Sequence, residues 1–168
     1  MGGKTAQFLA SRRPKGVVGL VLVAPAPPSP FIVPEELRAQ MGGPIVREFV
    51  TMAAEKILTY RPISREDVEL LVSDAIRGSV AARTAWGLET SLEDITDAVG
   101  HINAPTLVIS GEHDKIDPVE NLKRELLPRI PGAVLQVIPD VGHLSLLEAP
   151  QEIARHLDTF AKDLQSRR

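Results

Sequence analysis

The sequence predicts a doubly wound α/β fold, with a partial parallel sheet of about three strands and a helical insertion between the first two. Three apolar runs rich in β-branched residues lie far apart, at residues 17–23, 106–110 and 133–138. Helical periodicity fills the spaces between them and the residues after the last run, which is typical of parallel strands joined by helices. With 168 residues, of which 43% are apolar, the chain can bury one ordinary core.

A proline-rich loop separates the first strand from the insertion. Residues 17–23 form an unbroken apolar run after a short amphipathic helix, which indicates a strand covered on both faces. Five prolines between residues 25 and 34 then prevent a helix or strand from continuing. We therefore divide the chain into an α/β core, residues 1–30 and 93–168, and a helical cap or lid, residues 31–92.

The cap is predicted to be wholly helical. Ser64 with Asp67 resembles a capping box, Gly78 ends that helix, and Ser79 caps the next one. Earlier helices are predicted to begin at Pro34 and Pro44. The larger apolar side chains of the cap have two interpretations, packing between helices or lining an apolar acyl or alkyl pocket under the lid. They are Phe31, Phe49, Met52, Tyr60 and Trp86.

An acid and a histidine follow the second and third predicted strands, before a closing amphipathic helix that begins at Pro150. Asp114 comes after the second strand and His143 after the third. Since the carboxyl ends of parallel strands share one crevice, we expect these two side chains to meet. Glu112 and Asp117 are alternative acids, although Asp117 is interpreted as the cap of the helix that follows it. A histidine held by a carboxylate does chemistry when it deprotonates a third group, usually a serine hydroxyl.

These two motifs resemble those of the α/β-hydrolases. Residues 104–114, Ala-Pro-Thr-Leu-Val-Ile-Ser-Gly-Glu-His-Asp, resemble the family's strand and acid turn, and residues 138–150 resemble its histidine loop. The chain looks like the C-terminal half of a serine esterase or haloperoxidase-like hydrolase with a helical cap. The resemblance implies ester hydrolysis through a covalent acyl-enzyme, with Asp114 orienting the base His143. It also implies a small, apolar, ester-like substrate and no cofactor.

The nucleophile of that family is expected in a G-x-S-x-G motif, which does not occur in this sequence. Met1-Gly2-Gly3 resembles the tail of the motif, so the serine would be the residue before Met1, and the Met1 N–H would be one oxyanion-hole donor. We therefore expect a fragment of a longer hydrolase, inactive alone. The alternative is a catalytically inactive, dimeric ligand-binding remnant of the fold. Family members with epoxide or halide chemistry use an Asp nucleophile, so the resemblance leaves open whether the nucleophile is a serine or an aspartate.

Composition limits the partners and cofactors. A net charge of −3 gives no electrostatic reason to expect nucleic acid or an anionic membrane. The absence of cysteine excludes disulfides and thiolate metal sites, and the four histidines show no metal-ligand spacing, so no metal is expected. No apolar run is long enough to span a membrane, and a cytoplasmic location is the default expectation.

Two further features concern the N-terminal part of the chain. Gly3-Lys4-Thr5 matches the end of a phosphate-binding P-loop, but the glycine that should precede it by five residues falls outside the sequence.

The strand at Val17–Val23 lacks the neighbour that the complete family fold would provide. Its unpaired edge is expected to favour a homodimer or strand swapping.

Overall fold

The protein forms one parallel three-stranded sheet. The computed structural model describes residues 1–32 and 45–166. Its strands are β1 (Leu20–Val23), β2 (Thr106–Gly111) and β3 (Val134–Ile138). They pair in the order β1-β2-β3, with Leu20 opposite Thr106 and Leu107 opposite Val134. The predicted fold class, an open parallel sheet with helices between its strands, is confirmed.

Helices occupy the connections and the C-terminal end. In chain order they are α1 (Gly2–Ser11), α2 (Arg47–Ala53), α3 (Arg65–Arg77), α4 (Val80–Leu88), α5 (Thr96–Val99), α6 (Val119–Glu125), α7 (Ser145–Glu148) and α8 (Pro150–Ser166). A π-helical turn, Ala54–Leu58, continues α2, and 3-10 turns lie at Thr90–Leu92 and Leu127–Arg129. The helix predicted at Pro34 and the helix start predicted at Pro44 lie outside the described residues. No helix in the described ranges combines the length and apolar character needed to cross a bilayer.

Strand β2 lies at the centre of the core, and all six of its residues are buried. Successive side chains of a strand point to opposite faces, so β2 contributes to two apolar clusters. Val108 packs with Leu122 of α6 on one face of the sheet. Ile109 packs with Ile153 of α8 on the other face. Both faces of the sheet are therefore covered, as expected for parallel strands.

The first strand is shorter than predicted. Of the apolar run from Val17, only Leu20–Val23 pairs with β2, and Val17 and Val18 are 41% and 48% exposed. Gly16 has a φ of +93°, and Val17 N–H donates to the Pro14 carbonyl, so a turn occupies the start of the run. The prediction of a strand over the whole run was wrong because apolarity does not reveal where a turn delays the pairing.

The insertion is helical in its described part, but its helices bury few side chains. Helix α2 has no buried residue, and α3 has only Val68 and Val72. The predicted capping pair is confirmed, since Ser64 Oγ accepts from the Asp67 N–H at 3.0 Å. At the base of the insertion, Phe31 N–H donates to the Ser91 carbonyl at 2.8 Å. Assignment of residues 31–92 as a cap stays a prediction.

Candidate active site

Asp114 lies in the loop that follows β2, and its carboxylate is fixed by the backbone of the same loop. The residue is 4% exposed. Its Oδ1 accepts from Ile116 N–H at 2.8 Å and from Asp117 N–H at 2.9 Å. The Asp114 side chain is thus held in a fixed orientation at the carboxyl end of the central strand.

His143 lies in the loop after β3 and is hydrogen-bonded to Asp114. Its Nδ1 is 2.8 Å from Asp114 Oδ2, and its side chain is 23% exposed. A carboxylate on Nδ1 assigns the proton of the neutral ring to that nitrogen, which leaves Nε2 as the acceptor. Within residues 1–32 and 45–166, no hydrogen bond reaches Nε2. The structure therefore brings the two predicted residues together as an acid–base pair with one free nitrogen.

Backbone contacts join the two loops that carry this pair. Glu112 N–H donates to the Ile138 carbonyl at 2.9 Å, and His113 N–H donates to the Val141 carbonyl at 2.8 Å. A Cβ added at Gly111 would overlap the carbonyl oxygens of Val141 and Gly142. Glycine is required at this position because the loops approach closely, so the geometry of the pair is set by backbone contact as well as by the side chains.

Asp117 is not the helix cap that the sequence suggested. Helix α6 begins after Pro118 and has no side-chain cap hydrogen bond. Asp117 is instead 3% exposed, and its Oδ1 has no hydrogen-bond partner in the part of the chain that the structure describes. Burial raises the pKa of Asp117 to about 7, while the charge of His143 opposes the rise and that of Asp114 adds to it. Asp117, a carboxyl group with a pKa of about 7, therefore lies beside the Asp114–His143 pair.

The other predicted acid is part of an exposed cluster. Ligand atoms of Glu112, His113 and Asp140 lie within 4.8 Å of one another, and the His113 ring stacks on Tyr60 with centroids 3.9 Å apart. The two carboxylates of this cluster are exposed. Glu112 Oε2 accepts from the Asp140 backbone N–H at 3.2 Å, so this acid serves the turn between the loops rather than His143. The histidine and carboxylates come together through folding and not through a spacing visible in the sequence.

Met1 lies at the start of α1, near Asp117. Its carbonyl accepts from the Lys4 and Thr5 N–H groups at 3.1 and 3.3 Å. Burial lowers the pKa of the Met1 amino group, and the Asp117 carboxylate opposes that shift. The N-terminal end of α1 and the loop after β2 therefore meet at this position. The oxyanion-hole role of Met1 stays a prediction.

Lys4 is a buried cation that the sequence did not single out as part of the core. It is 4% exposed, and Nζ donates to the carbonyls of Ser29 and Ser91 at 3.1 and 3.2 Å. Burial lowers the pKa of Lys4, with carboxylates that include Asp117 opposing the shift. A P-loop lysine must be free to reach phosphate oxygens, whereas the Lys4 ammonium is already bound to two backbone carbonyls. The P-loop alternative is therefore not supported.

A cavity of about 330 Å³ lies between α1 and α4. Of the five large cap side chains named from the sequence, Trp86 lines this cavity. Phe49, Met52 and Tyr60 lie elsewhere and are half exposed. The lining is mostly apolar and includes Met1. The full lining is Met1, Lys4, Thr5, Phe8, Ala82, Ala85, Trp86, Thr90, Glu93 and Ile95.

Comparison with known proteins gives a consistent picture. A family model described as serine aminopeptidase, S33, matches residues 1–150. An α/β-hydrolase domain-containing protein of Arabidopsis thaliana is 38% identical over 69 residues, which make up 40% of this chain and 20% of that protein. An esterase from Thermogutta terrifontis superimposes with a TM-score of 0.75 at 24% identity, over 97% of this chain and 62% of the esterase.

A second solved structure, Est816, is described as an N-acyl homoserine lactone-degrading enzyme. It superimposes with a TM-score of 0.75 at 26% identity, over 95% of this chain and 64% of that chain. The present chain thus spans less than two thirds of the length of each of these proteins.

Proposed function

This chain belongs to the serine aminopeptidase S33 family of α/β-hydrolases, and from that premise we propose that it carries the acid and the base of an ester hydrolase. The observation that carries the proposal is the 2.8 Å contact between His143 Nδ1 and Asp114 Oδ2. The ester class is supported by the esterase from Thermogutta terrifontis and by Est816, since the lactone that Est816 degrades is a cyclic ester.

In the proposed reaction, His143 Nε2 takes the proton from a serine hydroxyl as that oxygen attacks the ester carbonyl. The tetrahedral intermediate expels the alcohol, which receives the proton from the imidazolium, and an acyl-enzyme remains. His143 then deprotonates a water molecule that attacks the acyl group, and returns the proton to the serine. Throughout, Asp114 orients the imidazole, while the Ile116 and Asp117 N–H groups hold the Asp114 carboxylate in place.

We assign the nucleophile to the position that precedes Met1 in the family pattern. This assignment rests on the resemblance of Met1-Gly2-Gly3 to the tail of the nucleophile motif, with the Met1 N–H as one oxyanion donor. It is also supported by the free Nε2 of His143 within the described residues. The 168 residues alone are then expected to be inactive toward esters.

The substrate's apolar part is proposed to lie in the cavity between α1 and α4, under residues 31–92 acting as a cap. Phe8 and Trp86 provide most of its large apolar lining, and its volume of about 330 Å³ fits a small acyl or alkyl group. A contact ties this segment to the core near the cavity, from Lys4 Nζ of α1 to the Ser91 carbonyl at 3.2 Å. Such a cap would exclude water from the ester bond.

The test is hydrolysis of p-nitrophenyl butyrate by the longest protein encoded in frame with this sequence. His143→Gln and Asp114→Asn are each expected to lower kcat about 10⁴-fold, since both members of a triad act as a unit. His156→Gln, in α8, is the matched control and is expected to retain full activity. The bare 168-residue chain should show no turnover above that of His143→Gln.

Three outcomes would contradict this proposal. Full activity in His143→Gln would remove the base from the mechanism. Turnover by the bare chain that disappears in His143→Gln would show that a hydroxyl within the 168 residues reaches Nε2. If the longer protein is inactive while small apolar esters bind at the cavity, the ligand-binding remnant becomes the better description.

The outer edge of β1 carries a separate proposal, that isolated 168-residue chains pair through it. Among the described residues, β1 pairs with β2 on one side only, and Val17 and Val18 leave apolar surface beside it. Multi-angle light scattering is expected to detect a dimer for the bare chain, and Val18→Lys should shift the population to monomer. An unchanged monomer at all concentrations would contradict pairing at this edge.

A further inference from the structure

The Glu148 carboxylate binds backbone N–H groups from two segments that are distant in sequence. Its Oε2 accepts from Tyr60 at 2.7 Å, from Arg61 at 2.8 Å and from Gly142 at 3.0 Å. Its Oε1 lies 3.0 Å from the same Gly142 N–H. Hydrogen bonds in which the acceptor is ionised are among the strong ones in proteins. One side chain at the end of α7 thus joins the loop before His143 to the insertion.

The insertion also contacts the His143 backbone directly. The Leu58 carbonyl accepts from His143 N–H at 2.8 Å and from Leu144 N–H at 3.0 Å. The two backbones touch here, because a Cβ on Gly142 would lie 2.8 Å from Tyr60 N and 2.9 Å from Leu58 O. His143 is therefore held from both sides, through Gly142 by Glu148 and through its own N–H by Leu58.

The earlier part of the histidine loop is bound to the loop after β2, through His113 N–H to the Val141 carbonyl and through Asp140 N–H to Glu112 Oε2. Between the end of β3 at Ile138 and the start of α7 at Ser145, the chain has no regular secondary structure. Asp140 in this loop has a φ of +56°, in the left-handed region that is unfavourable for residues other than glycine. At Gly142 and His143 themselves, the backbone N–H groups bind Glu148 and the Leu58 carbonyl, while Asp114 determines the orientation of the ring.

We propose that Glu148 is a positioning residue for the base, which fixes the backbone of the histidine loop against residues 58–61 so that His143 meets Asp114. This inference rests on the proposed function of His143. It makes the exit of the π-helical turn a support for the imidazole, in addition to any role of the insertion as a cap. Displacement of residues 58–61 would then release the base from its acid.

Glu152 provides a matched control for the proposal. It lies four residues after Glu148, in the first turn of α8, and its Oε1 accepts from Arg61 Nη1 at 3.1 Å in a half-exposed ion pair. Within the described residues, no side-chain contact of Glu152 involves the backbone of residues 58–61 or 142. Glu152→Ala therefore removes a negative charge next to Arg61 and leaves the Glu148 hydrogen bonds to the Tyr60, Arg61 and Gly142 N–H groups in place.

The experiment is proton and nitrogen NMR of the 168-residue chain. The wild type is expected to show a strongly downfield Nδ1–H resonance from the His143–Asp114 hydrogen bond, assigned by its loss in His143→Gln. Glu148→Ala should abolish or broaden that resonance and accelerate amide exchange at Gly142 and Tyr60 about 10- to 100-fold, since a hydrogen bond to a charged group is lost. Glu152→Ala should change neither signal, and far-ultraviolet circular dichroism reports whether each variant is folded.

Conservative variants keep the test decisive if Glu148→Ala does not fold. Glu148→Gln keeps the reach and one acceptor oxygen, whereas Glu148→Asp keeps the charge but is shorter by about 1.5 Å. Positioning predicts that Gln preserves the imidazole resonance better than Asp. The proposal is overturned if Asp preserves it better than Gln, or if a folded Glu148→Ala retains the wild-type resonance and exchange rates.

These signals separate the inference from the proposed function. They depend on the Asp114–His143 hydrogen bond and not on ester turnover. Loss of the resonance in Glu148→Ala together with an inactive full-length protein would uphold the positioning role and reject the esterase assignment. An unchanged resonance together with His143-dependent activity would do the reverse.

Discussion

The loops after β2 and β3 differ sharply from the helical insertion in how they are held. Both loops are fixed by backbone hydrogen bonds between them, and at Gly111 the neighbouring loop leaves no room for a Cβ. The insertion has large apolar side chains half exposed, including Phe49 and Ile76, and α2 buries none of its residues. The loops are held by close backbone contacts, whereas the insertion buries few side chains and is held to the core mainly by the hydrogen bonds of residues 58–61 and by the Lys4 contact with Ser91.

This difference indicates that stability is unevenly distributed. Regions with few buried apolar contacts open at low free-energy cost, whereas core strands and their loops open only with the whole domain. The proposed acid and base therefore belong to the rigid region, and the residues that would cover a substrate belong to the region that moves most easily. The contrast can be tested by substitutions in each region.

The largest effect is expected for Gly111→Ala, which would force the two loops apart. The new Cβ would overlap two backbone carbonyls, and backbone cannot move aside as a flexible side chain can. We expect failure to fold or a loss of about 4 kcal/mol or more in the free energy of unfolding. Gly100→Ala is the control, because its Cβ would meet only Asp97 O at 3.5 Å, and urea denaturation measures both. Similar stabilities of the two variants would mean that the loops are not in close contact.

A smaller effect is expected from the pH dependence at Asp117. Its folded pKa of about 7 exceeds the ordinary value of 3.8, so between pH ~4 and ~7 the native state keeps a proton that the unfolded state has released. Stability therefore falls as pH rises through that window and is constant above it. The difference of about three pKa units corresponds to about 4 kcal/mol as an upper limit.

Asp117→Asn should remove that fall, so that the free energy of unfolding changes less between pH 4.5 and 8 than in the wild type. Asp97→Asn, at an exposed position in α5, is the matched control. Urea denaturation at several pH values measures the slopes. A variant with the wild-type slope would show that Asp117 does not hold a proton in the native state.

The smallest of the three effects compares a core leucine with one in the insertion. Leu122 in α6 is fully buried, and Leu122→Ala should lower the free energy of unfolding by about 3 kcal/mol. Leu70 in α3 is 55% exposed, and Leu70→Ala should change it by no more than about 0.5 kcal/mol. Equal losses in chemical denaturation would show that the insertion is as tightly packed as the core.

Much of the fold could be predicted because its signals are local. The apolar runs at residues 106–110 and 133–138 become β2 and β3, and the Ser64–Asp67 cap forms as expected. The meeting of Asp114 with His143 followed from one topological rule, that parallel strands end at the same edge. Their chemical role stays a prediction.

Other features could not be read from the sequence because they depend on long-range contacts. Asp117 has the pattern of a cap, yet the helix starts without it and the side chain is buried among other charges. Nothing local to Glu148 indicates that its partners are the N–H groups of Tyr60 and Arg61, nearly ninety residues away. The early end of strand pairing at Leu20 depends on the turn at Gly16, which an apolar pattern does not show.

The neck of the insertion has an evolutionary consequence. Phe31 and Ser91 are joined by one hydrogen bond of 2.8 Å, and the buried Lys4 ammonium grips the same neck at Ser29 and Ser91. Segments of other lengths can be spliced between such closely spaced anchors without disturbing the sheet, since loop closure depends only weakly on length. A replacement segment would still have to reproduce the hydrogen bonds of residues 58–61 to the histidine loop, so evolution can vary the length of this insertion more freely than the stretch around Leu58.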